Sequence, residues 1–289
     1  MGEIISLSNS NVEIKISTLG AELISAKIDG VEKLWQGGGN YWSGTAPILF
    51  PFCGNVFGGY YNFKGKDYEI NSHGFARKTE FKVVSKQKTQ VTFLIESTPE
   101  TKAVYPFEFK FRVMYKLSGY SIGIYYIVEN YSSEDMYFNV GSHESYRLDG
   151  DLGDYYIRFE DDDKEVTNSL LKENFITGKT EKIALTEHGL KIKDFFTLEN
   201  DGNSVIVENV KSKRVTLNKN GEDMLSVYYN DFSHIVIWSQ YTAPFIAIEP
   251  WNGLPDKYGS NHILTEKYSV DKISAGESKT FYHSITFLD

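Results

Sequence analysis

The stretch from Phe107 to Leu117 reads FEFKFRVMYKL and alternates in character along its length. Its odd-numbered residues are aromatic or aliphatic, whereas charged residues occupy most of the even-numbered positions. Successive side chains of a β-strand point to opposite faces, so this alternation predicts a strand with one buried and one solvated face. After Ser118-Gly119-Tyr120, a second apolar run from Ile122 to Val128 completes a predicted antiparallel hairpin.

The same strand signal recurs through the rest of the chain. Val12, Ile14 and Ile16 alternate with charged residues, and Asp29-Gly30 is a hairpin turn signal. Further predicted strands are 91–95, 137–140, 205–207, 235–238, 245–248 and 281–287. The one clear helix signal is Thr98-Pro99, with proline at a first helical position. Many short strands separated by turns predict an all-β sandwich or barrel with few short helices, in a single domain over residues 1–289.

Composition limits the classes of partner. The chain has 289 residues and a net charge of −9, which argues against nucleic acid or an anionic membrane as the binding partner. The aromatic fraction is 15%, enough to supply rings for a ligand-binding face as well as a core. Cys53 is the only cysteine, so no intrachain disulfide is possible. No apolar membrane segment or signal peptide is evident, so a cytoplasmic location is expected.

A second informative stretch, Phe245 to Asp256, reads FIAIEPWNGLPD. Its apolar run predicts a buried strand that ends at Glu249, where Pro250 and Trp251 begin to break the extended conformation. Burial raises the pKa of a carboxyl group toward the range that suits a general base. The alternative is a buried glutamate that only accepts hydrogen bonds from the neighbouring backbone.

Two histidine segments are further candidates for chemistry. Residues 73–77 read HGFAR and combine the imidazole of His73 with the guanidinium of Arg77. Residues 139–146 read NVGSHESY and place His143 just after a predicted strand. Histidine is the side chain best suited to exchange a proton near neutral pH. Alternation along a strand would turn Glu144 away from His143. Taken alone, each segment favours a structural interpretation, in which the histidine is a hydrogen-bonded core residue.

The sequence does not predict a metal site. The acidic run Glu160 to Asp163 lacks the central glycine and distal glutamate of a calcium loop, so it is interpreted as a solvated loop. The remaining histidines have no metal-ligand spacing. We therefore expect neither a metal nor an organic cofactor.

Taken together, segments 73–77, 141–143 and 248–256 resemble the aldose 1-epimerase (galactose mutarotase-like) family, and more closely its LacX-like branch of short bacterial proteins. Their order and spacing fit over nearly the whole chain. The resemblance implies a large antiparallel β-supersandwich with an open sugar-binding cleft. It also implies that His143 is the general acid and Glu249 the general base, and that His73 contacts the sugar oxygens near the reacting carbon. Arg77 matches an arginine that lies near the phosphate in relatives acting on hexose 6-phosphates. Asp194, in segment 193–196, resembles the family's aspartate that binds sugar hydroxyls. Trp251 is expected to stack on the sugar ring.

Two positions depart from the family pattern. Relatives usually have arginine after the glycine of a Gly-Arg pair, whereas this chain has Gly54-Asn55. Asn55 brings no charge to the cleft, which weakens the case for a phosphorylated substrate. Many relatives also have proline after the acid histidine, where this chain has Glu144.

The function that this resemblance implies is interconversion of the α and β anomers of a free hexose. The alternatives are a hexose-6-phosphate 1-epimerase and a catalytically weak sugar-binding or sensing protein of the same fold. A glycoside hydrolase is less favoured because it normally needs two facing carboxylates, and only Glu249 has a suitable setting. The expected partner is a small-molecule sugar, and the expected assembly is a monomer or a homodimer.

Overall fold

The computed structural model describes residues 2–160, 164–197 and 203–288. Residues 161–163 of the acidic run therefore lie outside the described residues. The strands are β1 (Ile4–Ser8), β2 (Val12–Ser17), β3 (Leu23–Ile28), β4 (Val31–Glu32), β5 (Tyr60–Phe63), β6 (Lys66–Glu69), β7 (Lys82–Lys86), β8 (Gln90–Glu96), β9 (Phe109–Ser118), β10 (Ser121–Asn130), β11 (Met136–Phe138), β12 (Ser145–Arg147), β13 (Tyr155–Phe159), β14 (Glu165–Lys172), β15 (Phe175–Ala184), β16 (Leu190–Lys191), β17 (Ser204–Val207), β18 (Arg214–Lys219), β19 (Glu222–Tyr228), β20 (His234–Trp238), β21 (Phe245–Trp251), β22 (Asp271–Ile273) and β23 (Ser278–Phe287).

A nine-stranded antiparallel sheet in the order β16-β13-β18-β19-β23-β10-β9-β8-β7 forms one layer. The predicted hairpin lies near its centre, with β9 and β10 paired from Ser118 opposite Ser121 to Phe109 opposite Asn130. Alternate residues of β9 are buried, as the sequence predicts, although the strand begins two residues later than Phe107. The second layer packs against the apolar face of this hairpin.

The second layer contains two four-stranded sheets, β1-β2-β3-β4 and β12-β21-β20-β17. One continuous apolar core joins both to the nine-stranded sheet, and it includes Ile14, Tyr115 and Ile248. The hydroxyl of Tyr115 crosses between the layers and donates to the carbonyl oxygen of Ala21 at 2.8 Å. These contacts confirm the predicted all-β sandwich.

Helices are short in the part of the chain that the structure describes. The predicted turn at Thr98 is the single α-helix α1 (Pro99–Val104), and the Thr98 side chain caps its first turn by accepting from the Thr101 N–H. Short 3-10 helices occupy Phe57–Gly59, Ala76–Lys78, Leu152–Asp154, Ile192–Thr197 and Leu264–Glu266. None of the described helices is long and apolar enough to cross a membrane.

The expectation that Pro250 and Trp251 break the strand after Glu249 is wrong. Strand β21 continues through both residues to Trp251, and all seven of its residues are buried. The backbone N–H of Ile248 donates to Glu144, and Pro250 has no N–H to make the next bond of this ladder. The indole N–H of Trp251 donates to the carbonyl oxygen of Ser142 at 3.0 Å instead. This side-chain hydrogen bond takes the place of the missing backbone bond, so strand β21 keeps a hydrogen bond to the segment of Ser142 and Glu144 on both sides of Glu249.

Candidate active site

An open cavity of about 300 Å³ lies at the C-terminal end of strand β21, a size at the lower end of the range for small-molecule sites. The structure brings together at its walls six of the seven residues predicted from the sequence. They are Asn55, His73, Arg77, His143, Glu249 and Trp251. These residues come from segments nearly 200 positions apart, so the cavity is a product of the sandwich rather than of any local motif.

Glu249 lies on the cavity wall although its side chain is fully buried. Strand β21 has β12 on one side and β20 on the other, so water is excluded along both edges. Burial raises the pKa of Glu249 well above its ordinary value, and the nearby charge of Glu144 adds to the rise. Trp251 opposes the rise, but its indole N–H is directed at Ser142 rather than at the carboxylate. Neither oxygen of Glu249 accepts a hydrogen bond from the described residues.

His143 faces Glu249 across the cavity floor, with 3.5 Å between its Nε2 atom and Oε2 of the carboxylate. Trp42 stacks on the imidazole at a centroid distance of 4.7 Å, and Trp238 meets it edge-on at 5.4 Å. These two indoles hold the ring in one orientation and shield it from water. Burial consequently lowers the pKa of His143 to about 4.

His73 supplies a neutral hydrogen-bond donor. Its Nδ1 atom accepts the backbone N–H of Gly54 at 3.1 Å, which assigns the ring proton to Nε2. Burial lowers the pKa of His73 well below its ordinary value, and the neighbouring His143 and Arg77 lower it further. His73 has a left-handed backbone, with φ of 62°. Gly74 follows it in the same region, and a Cβ there would lie 2.3 Å from the Phe50 carbonyl oxygen.

Arg77 lies on the short 3-10 helix Ala76–Lys78, and its side chain lines the cavity. Its Nη2 donates to the carbonyl oxygen of Ser72 at 2.9 Å. The buried Nε of Arg77 has no hydrogen-bond partner among the described residues. Asn55 also lines the cavity, where its side chain brings no charge.

Asp194 does not join this group. It is exposed on the 3-10 helix Ile192–Thr197, which packs against β13 and β16 at one edge of the nine-stranded sheet. Asp194 is absent from the described residues that line the cavity. The sequence placed it there only through a loose match of segment 193–196, and its buried neighbour Ile192 shows that this segment serves the sheet edge.

The cavity also has walls that the sequence analysis did not identify. Trp42 and Trp238 form an aromatic side, and the tip of the β14–β15 hairpin contributes Leu171 and Asn174. The Gly- and aromatic-rich segment around Trp42 was the available signal for the aromatic side. Across the described residues, no group of three or more His, Cys, Asp or Glu side chains is arranged to hold a metal ion.

Comparison with known proteins gives a consistent result. Residues 3–264 match the family model described as aldose 1-epimerase. The chain is 31% identical to chromosomal protein LacX of Lactococcus lactis subsp. lactis, with 99% of each chain covered. The structure is similar to a galactose mutarotase-like protein of Lactobacillus casei, with 30% identity, a TM-score of 0.88, and 99% and 100% of the two chains covered. It is also similar to a galactose mutarotase related enzyme of Lactobacillus acidophilus, with 29% identity, a TM-score of 0.90, and 99% and 98% covered.

Proposed function

Because the chain belongs to the aldose 1-epimerase family, we propose that it interconverts the α and β anomers of a free hexose. The observation that carries this proposal is the 3.5 Å approach of His143 to Glu249 on the floor of an open cavity. A proton acceptor and a proton donor side by side are what opening a cyclic hemiacetal requires. The cavity's aromatic side also suits the apolar face of a pyranose.

In the proposed reaction, the Glu249 carboxylate takes the proton of the hydroxyl on the anomeric carbon. Protonated His143 gives a proton to the ring oxygen, and the bond between that oxygen and the anomeric carbon breaks. The open aldehyde rotates about its neighbouring bond and recloses from the other face while both proton transfers run in reverse. His73 Nε2–H donates to a sugar oxygen near the reacting carbon, and Trp251 contributes to the wall beside it.

The burial of both groups is compatible with these roles because the pair needs only one proton. Burial favours neutral Glu249 and neutral His143, which is the form that recloses the open sugar. Moving that proton from the carboxyl to the imidazole produces the form that opens the ring. The two forms have the same number of protons, so no exchange with solvent is needed within a turnover.

A second candidate substrate is a hexose 6-phosphate. The observation that favours it is Arg77, which lines the cavity. Its buried Nε donates no hydrogen bond to any described residue. An arginine fork is well matched to a phosphate. The neutral side chain of Asn55 is what makes this the second rather than the first candidate.

The test is the anomer exchange rate of galactose, glucose and glucose 6-phosphate, measured by NMR with wild type and with Glu249→Gln. We expect faster exchange of a neutral hexose, and loss of the acceleration in the variant. Acceleration confined to glucose 6-phosphate would favour the second candidate. Sugar binding without any acceleration would instead indicate a binding or sensing protein of this fold.

A further inference from the structure

A second buried acidic side chain lies directly behind the candidate catalytic pair. Glu144 follows His143 in the chain and its side chain, only 3% exposed, points to the opposite face, into the space between the two layers. The carbonyl oxygen of Glu144 accepts the backbone N–H of Ile248 at 3.1 Å, which fixes this segment beside the strand that carries Glu249. The backbone of Glu144 is thus bonded to His143 directly and hydrogen-bonded to Ile248, the residue before Glu249. Its carboxylate does not line the cavity.

The carboxylate has one side-chain partner among the described residues. Its Oε1 atom lies 3.2 Å from Nε2 of His283, a fully buried residue of β23 in the opposite layer. Its Oε2 atom has no hydrogen-bond partner among the described residues. The other titratable groups that face Glu144 are Tyr115, Tyr126, Tyr146, His143 and Glu249.

A carboxylate in such a place is costly for stability. Burial of a charge is expensive unless partners satisfy it, and a hydrophobic residue of similar size usually serves a sandwich core as well or better. The cost points to an electrostatic role.

On the premise of the proposed function, we propose that Glu144, held by His283, is a positioning residue that keeps the shared proton on the His143–Glu249 pair. Its negative charge lies behind both groups and attracts a proton to either of them. In agreement, Glu144 raises the pKa of Glu249 and partly offsets the lowering of the pKa of His143 that burial causes. The base is therefore stronger, and the pair retains its proton over a wider range of pH.

The test uses Glu144→Gln, which removes the charge and keeps the size and an acceptor for His283. The first readout is the NMR titration of the imidazole of His143 in protein labelled at histidine, which needs no substrate. The second readout is the pH profile of kcat/KM for anomer exchange of the best hexose. Glu144→Asp, which retains the charge, is the conservative variant.

Glu208→Gln is the matched control. Glu208 raises the pKa of His234, which burial lowers to about 4, and neither residue lines the cavity. This control therefore removes a carboxylate beside a buried histidine at a different place in the sandwich. It should move the titration of His234 and leave that of His143 unchanged.

We expect Glu144→Gln to move the His143 titration and both limbs of the pH profile to lower pH, with kcat/KM at the optimum reduced about tenfold. Glu144→Asp should restore most of the profile. If Glu144→Gln does not fold, His283→Phe removes the one side-chain partner of the Glu144 carboxyl and should also move the His143 titration to lower pH. An unmoved His143 titration in a folded variant would overturn the proposal. Absence of exchange with every sugar would refute the proposed function alone, because the histidine titration would still decide the role of Glu144.

Discussion

Nε2 of His143 lies 3.5 Å from Oε2 of Glu249, and burial shifts the pKa of each group in the direction that removes its charge. These shifts favour a neutral carboxyl beside a neutral imidazole, with one proton between them. A proton acceptor beside a proton donor suits a reaction that must run in both directions, because each transfer is reversed when the ring recloses. This relationship is the basis of the first two predictions.

Glu249→Gln should reduce the rate of anomer exchange by about 10²–10⁴-fold, because the amide cannot take a proton from the anomeric hydroxyl. The amide is nearly isosteric and uncharged, so the fold should be retained. NMR exchange measurements and near-ultraviolet circular dichroism check the two parts. His143→Asn should behave in the same way, and Glu208→Gln, outside the cavity, is the control. Wild-type exchange in either cavity variant would show that the assigned role is wrong.

The pH dependence of kcat/KM should be bell-shaped, with the active form carrying one proton on the pair. Below about pH 4 His143 also becomes protonated, because its pKa is lowered to about 4, and Glu249 can then no longer act as a base. The alkaline limb follows loss of the last proton and lies above the ordinary pKa of a glutamate, because burial raises the pKa of Glu249. Activity should thus be constant between about pH 4 and that limb. A profile that rises with a pKa near 6.5, the value of free histidine, would contradict this account.

The sequence predicts the parts of the fold in which alternation is strong. Strands β9 and β10 bury about every second residue, so the alternation in their sequences predicts them without any tertiary information. The hairpin of β14 and β15 lacks such a pattern, because most of β15 is exposed or only partly buried, and it was not predicted. Its tip nevertheless supplies Asn174 to the cavity wall.

The presence or absence of a local sequence pattern also explains which site residues the sequence predicts. His143 and Glu249 stand in local patterns that mark them, whereas Ser204 and Ile206 reach the cavity only because β17 pairs with β20 at the edge of its sheet. The end of β21 was misplaced for a related reason. The indole of Trp251 replaces the missing N–H of Pro250, and that compensation depends on a carbonyl oxygen more than a hundred residues away.

Arg77→Ala should separate the two candidate substrates. If the sugar carries a 6-phosphate, loss of a guanidinium that faces the cavity should reduce kcat/KM by about 10²-fold or more, since hydrogen bonds between charged groups contribute about 1.5–3 kcal/mol each. For a neutral hexose the loss should be several-fold smaller. Parallel exchange measurements on glucose and glucose 6-phosphate compare the two, and Arg77→Lys tests the need for a planar fork. Equal losses on both sugars would indicate that Arg77 acts by holding Ser72.

The two segments that carry Asn55 and Pro255 are held together by Asp256, which belongs to a buried ion pair. Nζ of Lys267 lies 2.8 Å from Oδ1 of Asp256, and both side chains are almost fully buried. The other oxygen of Asp256 accepts the Phe57 N–H at 2.8 Å, and its own N–H donates to the Asn55 carbonyl oxygen. Lys267→Met would leave the Asp256 carboxylate without its cation between these two segments.

Lys267→Met should therefore lower the free energy of unfolding by about 3–5 kcal/mol, measured by urea denaturation near neutral pH. The matched control is Lys279→Met, which breaks a partly exposed pair with Asp271 and should cost about 0–1 kcal/mol. Adding Asp256→Asn to Lys267→Met should recover part of the loss, because the amide removes the unpaired charge and its oxygen still accepts the Phe57 N–H. A Lys267→Met protein as stable as the control would show that the carboxylate does not need its cation, and that the backbone donors around Asp256 satisfy it on their own.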